Sequence, residues 1–214
     1  MRTWYLVRHG QTEWNATQRM QGQHDSKLTE AGRGHALANG RLLKRLGVDM
    51  AFASPLGRVR ETVAIMHGAH PLTPRWDDRL MEWSCGEWSG ELYADLAVKH
   101  ADAWRAWETD KYNYRPKGGE NFVDLATRAR SFIDEHAGVE AKRIAIVAHG
   151  FINRALAGEL MGLAPEERMR IRQTNDTVIR VTMTPEGARA DHFVGGEGPY
   201  GGLPDGVRRG TESA

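Results

Sequence analysis

An α/β fold is predicted for this chain: a mostly parallel central sheet with helices on both faces, three layers in all. Three observations carry that expectation. Segments of strand character alternate with segments of helical period, the order that builds a sheet with helices packed against it. Residues Arg143 to Ala148 read Arg-Ile-Ala-Ile-Val-Ala, the near-continuous apolar run of a strand covered on both faces, which favours parallel pairing. Two strand-like runs end in His-Gly, at His9-Gly10 and at His149-Gly150. Ligands in such sheets sit outside the carboxyl ends of the strands, so both histidines are expected at one edge.

Taken in order, Trp4 to Val7 is too short an apolar run for a helix and breaks at Arg8-His9-Gly10. A polar loop follows from Gln18 to Lys27. Thr29 suits a helix N-cap with Glu30 in the first turn, Ala36, Leu42, Leu43 and Leu46 turn to a core, and Gly47 ends the helix. Ala51 to Ala53 reads as a buried strand broken by Ser54-Pro55, and Gly57 to His67 as a helix with Arg58 and Arg60 near its start. Pro71 to Arg79 is a loop with one short strand. Residues 83 to 119 are rich in aromatics and form the least regular part, read as a helix-containing flap. From Asn121 to His136, Phe122, Leu125, Ala126, Ala129, Phe132 and Ile133 recur at spacings of three and four, the signature of an amphipathic helix. After His149 a helix carries Ile152, Ala155, Leu156 and Leu160, closed by Gly162 and Pro165. Thr177 to Met183 and Ala188 to Phe193 read as a hairpin around Pro185-Glu186-Gly187. The expected layout is one domain over residues 1–194 and a Gly/Pro-rich flexible tail over 195–214.

Composition narrows the class. At 214 residues, 27% charged and 40% apolar, the chain has ordinary globular composition and can bury a sizeable core. A formal net charge of +1 supplies no global field for nucleic acid or an anionic membrane surface. One cysteine, Cys85, rules out an internal disulfide and fits a reducing compartment. No run approaches a membrane span. A cytoplasmic enzyme is the expectation, with no nucleic-acid or membrane partner and a homodimer left open.

The four blocks that end or follow these elements have a common resemblance. Arg8-His9-Gly10 with Thr12 and Asn15, then Ser54-Pro55-Leu56-Gly57-Arg58-Val59-Arg60-Glu61-Thr62, then Leu80-Met81-Glu82, then Ala148-His149-Gly150 resemble, in order, the motifs of the histidine phosphatase (phosphoglycerate mutase-like) superfamily. The resemblance implies a phosphoglycerate mutase-like fold and a phosphohistidine mechanism. It implies His9 as nucleophile, Arg8, Arg58 and His149 clamping the transferring phosphoryl group, and Glu82 as general acid and base. It further implies phosphate contacts from Asn15 and from backbone amides near Gln21 and Gly22, and the helix after Gly150 is expected to aim its N-terminal dipole at the same anion.

The chemistry is coherent. Phosphoryl transfer needs an in-line nucleophile, cations on the equatorial oxygens and an acid for the leaving oxygen. A neutral imidazole supplies the first if its other nitrogen is held by a carbonyl, for which Gly10 is the expected source. Arginine supplies forked donors to phosphate oxygens. Two histidines are too sparse for a metal centre and no acidic cluster reads as a magnesium site, so neither metal nor cofactor is expected. Glu82 needs an apolar wall, for which Leu80, Met81 and Trp83 are candidates, and Glu87 is its nearby competitor. Arg60 is read as structural, pairing with Glu61 or another acid, and Arg154 as salt-bridged. Trp83, Tyr93, Tyr114, Arg115 and Lys117 are candidate specificity residues, the last two for a second anionic group on the substrate.

Within the resemblance, mutases carry an Arg-His pair after the third-motif glutamate. Here Trp83-Ser84-Cys85-Gly86 follows Glu82, and with Pro116-Lys117-Gly118-Gly119-Glu120 is similar to the phosphatase branch. The expected function is metal-independent hydrolysis of small phosphomonoesters. A cofactor-dependent phosphoglycerate mutase and a non-catalytic phospholigand-binding module are the alternatives.

Overall fold

The computed structural model describes residues 1–205. Seven strands form one sheet in the order β3-β2-β4-β1-β5-β6-β7, with β1 at Arg2–Arg8, β2 at Met50–Ala53, β3 at Arg75–Trp76, β4 at Arg143–Ala148, β5 at Thr177–Thr184, β6 at Gly187–Val194 and β7 at Glu197–Gly201. The first four run parallel, β5 and β7 run against them, and β6 turns back to their direction. Strand period then sorts the core into two. Trp4, Leu6, Phe52, Ile144, Ile146, Ile179 and Val181 point to one face, and Tyr5, Val7, Ala51, Ala53, Ala145, Val147 and Val178 to the other.

Helices α2 (Glu30–Arg45) and α3 (Gly57–Ala69) cover the second face through Ala36, Leu42, Leu43, Val59 and Met66. Helices α6 (Phe122–Glu135) and α7 (Gly150–Met161) cover the first through Leu125, Ala129, Phe132, Ile152, Ala155 and Leu156. The expected caps are present, with Thr29 accepting from Gly32 N and Gly162 ending α7 in the left-handed region; Asn121 adds a cap that was not expected, accepting from Asp124 N.

The structure adds elements that the sequence reading passed over. A single turn, α1 (Glu13–Ala16), follows the first motif and is capped by Thr12. Pro165 does not merely close α7; it opens α8 (Pro165–Arg170) at the position where a missing N–H costs nothing. The tail expected from residue 195 is corrected as far as Asp205. Glu197–Gly201 pairs with β6 as an edge strand, where Pro199 is tolerated, and Asp205 bridges to Ile171. The remainder of that tail, 206–214, lies outside the described residues.

The flap contains α4 (Tyr93–Lys99) and α5 (Ala101–Thr109). Its aromatics mostly fill volume: Trp83, Trp88 and Trp107 are buried and pack against one another and against Trp104 and Tyr114. The segment Pro116–Glu120 braces the third motif. Ser84 N donates to Glu120 Oε2 at 2.9 Å, and Arg128, paired with Glu120, donates to Met81 O at 2.6 Å and Glu82 O at 3.2 Å.

One close approach fixes the loop after β1. A Cβ on Gly32 would fall 2.0 Å from Gln11 O, and one on Gly10 would fall 2.2 Å from Gly32 O. Backbone cannot yield as a flexible side chain does. Gly32→Ala is therefore expected to cost roughly 1–3 kcal/mol, seen as a lower chemical-denaturation midpoint. An unchanged midpoint would mean that the contact tolerates a methyl group.

Candidate active site

Because β1 and β4 are neighbours with Arg8 in register with Ala148, His9 and His149 leave adjacent strand ends. His9 N donates to Ala148 O at 3.0 Å, and the ring centroids stand 5.2 Å apart. His9 Nδ1 lies 2.8 Å from Gly10 O. A carbonyl only accepts, so the proton sits on Nδ1 and Nε2 keeps its lone pair. Arg58 Nε points at that lone pair, 3.3 Å away, and at His149 Nδ1, 3.1 Å away. The second ring therefore carries its proton on Nε2, 2.8 Å from Ser54 Oγ. Burial, followed by the Arg58 charge, holds both imidazoles well below their ordinary value. In this arrangement His149 is a buried neutral ring behind Arg58 rather than the fixed cation expected of it.

Arg58 is itself buried and tied on every side. Its guanidinium donates to Gly22 O at 2.7 Å, His24 O at 2.6 Å and Asp25 Oδ1 at 3.0 Å. Asp25 also accepts from Gly57 N and Arg58 N, capping α3 from another loop where Leu56, the residue at the N-cap, has no side-chain acceptor. Burial pulls the Arg58 and Arg8 guanidiniums below their usual values, opposed chiefly by Glu82. Arg8 donates to Gln173 O at 2.7 Å and keeps a buried Nε without a partner.

Asn15 is both turn-maker and cavity wall. Its Oδ1 accepts from Thr12 N at 3.1 Å, which leaves the amide nitrogen to donate. Gln21 accepts from Thr12 Oγ1 at 3.0 Å, and Gly22 stands in the left-handed region with no room for a Cβ beside Cys85 Sγ.

Glu82 reaches the start of α7. Its Oε1 accepts from Trp83 N at 3.0 Å and from Phe151 N and Ile152 N at 3.2 Å; Oε2 shares only Phe151 N. The helix dipole expected to face the substrate thus meets this carboxylate first. Glu87, its competitor, is away from the cavity and faces His100 at 3.9 Å.

Arg8, His9, Asn15, Gln21, Gly22, Arg58, Glu82, Trp83, Tyr93 and Gly150 all line one cavity of about 320 Å³. Tyr114, Arg115 and Lys117 do not. Tyr114 stacks on Trp88, Arg115 pairs with Asp124 at the surface, and Lys117 is exposed. Two further expectations are corrected. Arg60 does not pair with Glu61, which is taken by Arg33; it lies over the Trp76 ring and donates to Pro55 O. Arg154 has no carboxylate within ion-pair distance among the described residues and lines the cavity instead. Cys85 is buried beside Ser89, with its thiol pushed up by burial, and is no nucleophile.

Some groups carried no sequence signal. Asn175 donates to His9 O at 2.9 Å and lines the cavity; Gln173 donates to Leu6 O and Thr177 O, and accepts from Asn153. Asp25 is noticed only once its partners are in place, and Ser54, seen in sequence only as a member of the second motif, shows its part only against His149. Among the described residues no group of three or more His, Cys, Asp or Glu is placed to hold a metal ion. Nor is any helix among them long and apolar enough to cross a membrane.

A family model described as the histidine phosphatase superfamily (branch 1) matches residues 4–194. The chain is 36% identical over 179 residues to a probable phosphoglycerate mutase GpmB of Erwinia tasmaniensis, covering 83% of each. It is 34% identical over 167 residues to the glucosyl-3-phosphoglycerate phosphatase of Mycobacterium tuberculosis, covering 74% of each. A structure of the mycobacterial glucosyl-3-phosphoglycerate phosphatase with VO3 superposes with a TM-score of 0.80 at 30% identity, over 91% of this chain and 98% of that one.

Proposed function

The chain belongs to the histidine phosphatase superfamily, and from that premise we propose that its cavity hydrolyses small phosphomonoesters through a phosphohistidine on His9. It is a phosphoric monoester hydrolase, by its family and by relatives named as phosphatases. The observation that carries the mechanism is the locked imidazole: Nδ1 held by Gly10 O leaves Nε2 as the nucleophilic atom, facing the cavity beside Arg58.

In the first step His9 Nε2 bonds to phosphorus as the P–O ester bond breaks, and Glu82 passes a proton to the departing oxygen. In the second, water attacks phosphorus, Glu82 takes the water's proton, the P–N bond breaks, and inorganic phosphate leaves. Splitting the transfer lowers each barrier. Arg8 and Arg58 offset the equatorial charge, with Asn15 and the backbone near Gln21 and Gly22 donating to it. A bound dianion favours the imidazolium form of His149, so the ring that is neutral at rest joins the clamp when substrate arrives.

The test is release of phosphate from p-nitrophenyl phosphate in EDTA, followed by a panel of phosphometabolites. Conversion of 3- to 2-phosphoglycerate that depends on 2,3-bisphosphoglycerate, with little free phosphate, would identify a mutase, the activity named for the 36%-identical relative. No turnover of any ester would leave a phospholigand-binding module.

The pH profile follows from the buried rings. The ordinary imidazole value is 6.5, and both histidines titrate well below it. His9 therefore keeps its lone pair as pH falls through that range, and the acid limb of kcat/KM for the free enzyme is expected below 6.5. The unfolded chain binds protons there that the folded chain does not, so stability should decline as pH drops from 6.5 toward the folded values. The first step needs a proton supplied to the leaving oxygen, so activity should be highest at acidic to neutral pH. An acid limb at or above 6.5, or a rate still rising above about pH 9, contradicts the assignment.

A further inference from the structure

Arg154 is a cation that this mechanism leaves over; Arg19, also in the cavity wall, is tied to Gly90 O and lies over the Trp14 ring. Arg154 projects from α7 into the wall that also holds Arg8, Arg58 and Glu82. The guanidinium lies over the Phe151 ring, 4.7 Å from its centroid, which fixes its plane. Its Nε is buried with no hydrogen-bond partner, and no carboxylate lies within ion-pair distance among the described residues.

Several enclosed arginines are paired, Arg58 with Asp25, Arg79 with Asp77, Arg128 with Glu120, Arg168 with Glu159 and Arg180 with Asp191, whereas Arg8, which has no carboxylate partner either, already serves the phosphoryl group. Arg154 instead feels two like charges, Arg172 and Arg8, and one acid, Glu82, whose oxygens are already engaged by α7. Burial and those neighbours push its pKa down to about 10, still protonated at neutral pH. Arg154 is partly buried, and leaving its enclosed Nε unsatisfied and its charge unpaired costs free energy that an anionic ligand would offset.

Resting on the phosphatase reading above, we propose that Arg154 holds a second anionic group of the substrate, with the Tyr93 hydroxyl as neighbouring donor. A phosphoryl group nearing two negative charges is already served by Arg8, Arg58 and His149. The cavity, at about 320 Å³, extends from Arg8 and Arg58 to Tyr93 and Arg154. The enzyme thereby selects phosphomonoesters that carry a carboxylate or a second phosphate a few bonds from the scissile ester. Arg154 takes the part that the sequence suggested for Arg115 and Lys117, which face elsewhere.

Three esters built on one carbon skeleton test this: glycerol 3-phosphate, 3-phosphoglycerate with its carboxylate, and glycerol 1,3-bisphosphate with a second phosphate. Wild-type kcat/KM is expected to favour at least one of the two doubly anionic esters over glycerol 3-phosphate by about tenfold or more, and the preferred one names the group. Arg154→Met should erase that ratio mainly through KM, and Arg154→Lys, which keeps the charge but loses the fork, should restore part of it. Equal kcat/KM for all three esters in the wild type overturns the inference without recourse to any variant. So does an Arg154→Met loss shared equally by all three. Failure to release phosphate from these esters and from p-nitrophenyl phosphate overturns the phosphatase reading, and the inference with it.

Discussion

His9→Ala is expected to lower kcat on p-nitrophenyl phosphate by on the order of 10⁴-fold or more, the scale on which loss of a covalent nucleophile is felt. The argument rests on one atom. Gly10 O fixes the Nδ1 proton, Ala148 O anchors the His9 backbone, and Arg58 approaches Nε2 from the side where an anion would lie. Removing the ring deletes the cavity-facing lone pair of His9 and leaves Arg8 and Arg58 in place. Substrate or inorganic phosphate should therefore still bind. The second readout is covalent: wild-type protein quenched in base during turnover should carry one phosphoryl group on the peptide containing His9, lost on acidification, and His9→Ala none. Retention of activity within about tenfold of wild type would remove His9 from the nucleophile's role.

The parts of this molecule that could be read from sequence are those whose cause is local. The unbroken apolar run at Arg143–Ala148 comes from burial on both faces of the sheet. The period of α6 comes from having one such face to cover. His9 and His149 announce themselves because a strand must end before a turn residue, and strand ends are where this architecture opens.

The rest is set by what meets in space. No short-range pattern separates the parts played by Arg115 and Arg154. Only the fold puts Asp124 against Arg115 and leaves Arg154 in the cavity wall with no carboxylate at ion-pair distance among the described residues. Asp25 caps a helix that begins more than thirty residues later, and no short-range pattern encodes that. Gln173 and Asn175 sit in a polar loop before β5, where Asn and Gln are commonplace. Their work depends on Leu6 O, Arg8 and His9 lying beside them. Edge strand β7 was hidden by its glycines and proline, because its order comes from β6 and not from its own propensity.

Glu82→Gln should separate acid catalysis from the rest of the machinery. The geometry lets glutamine enter quietly. Its carbonyl can take the place of Oε1, where Trp83 N, Phe151 N and Ile152 N converge, and its amide can replace Oε2, which shares only Phe151 N. The variant is therefore expected to fold and to bind phosphate. It cannot deliver a proton, and loss of a general acid and base costs about 10² to 10⁴ in rate. That cost must depend on the leaving group. An alkyl phosphate departs as a strongly basic alkoxide and should suffer the full loss, whereas p-nitrophenolate leaves without help and its first step should be nearly spared. Any remaining loss on p-nitrophenyl phosphate then reports the second step, in which Glu82 accepts the proton of water, and phosphohistidine should accumulate in the variant. Equal losses on both esters with no accumulated intermediate would make Glu82 an electrostatic or positioning group. The proton donor would then have to be sought among the other residues of the cavity wall, beginning with the Tyr93 hydroxyl.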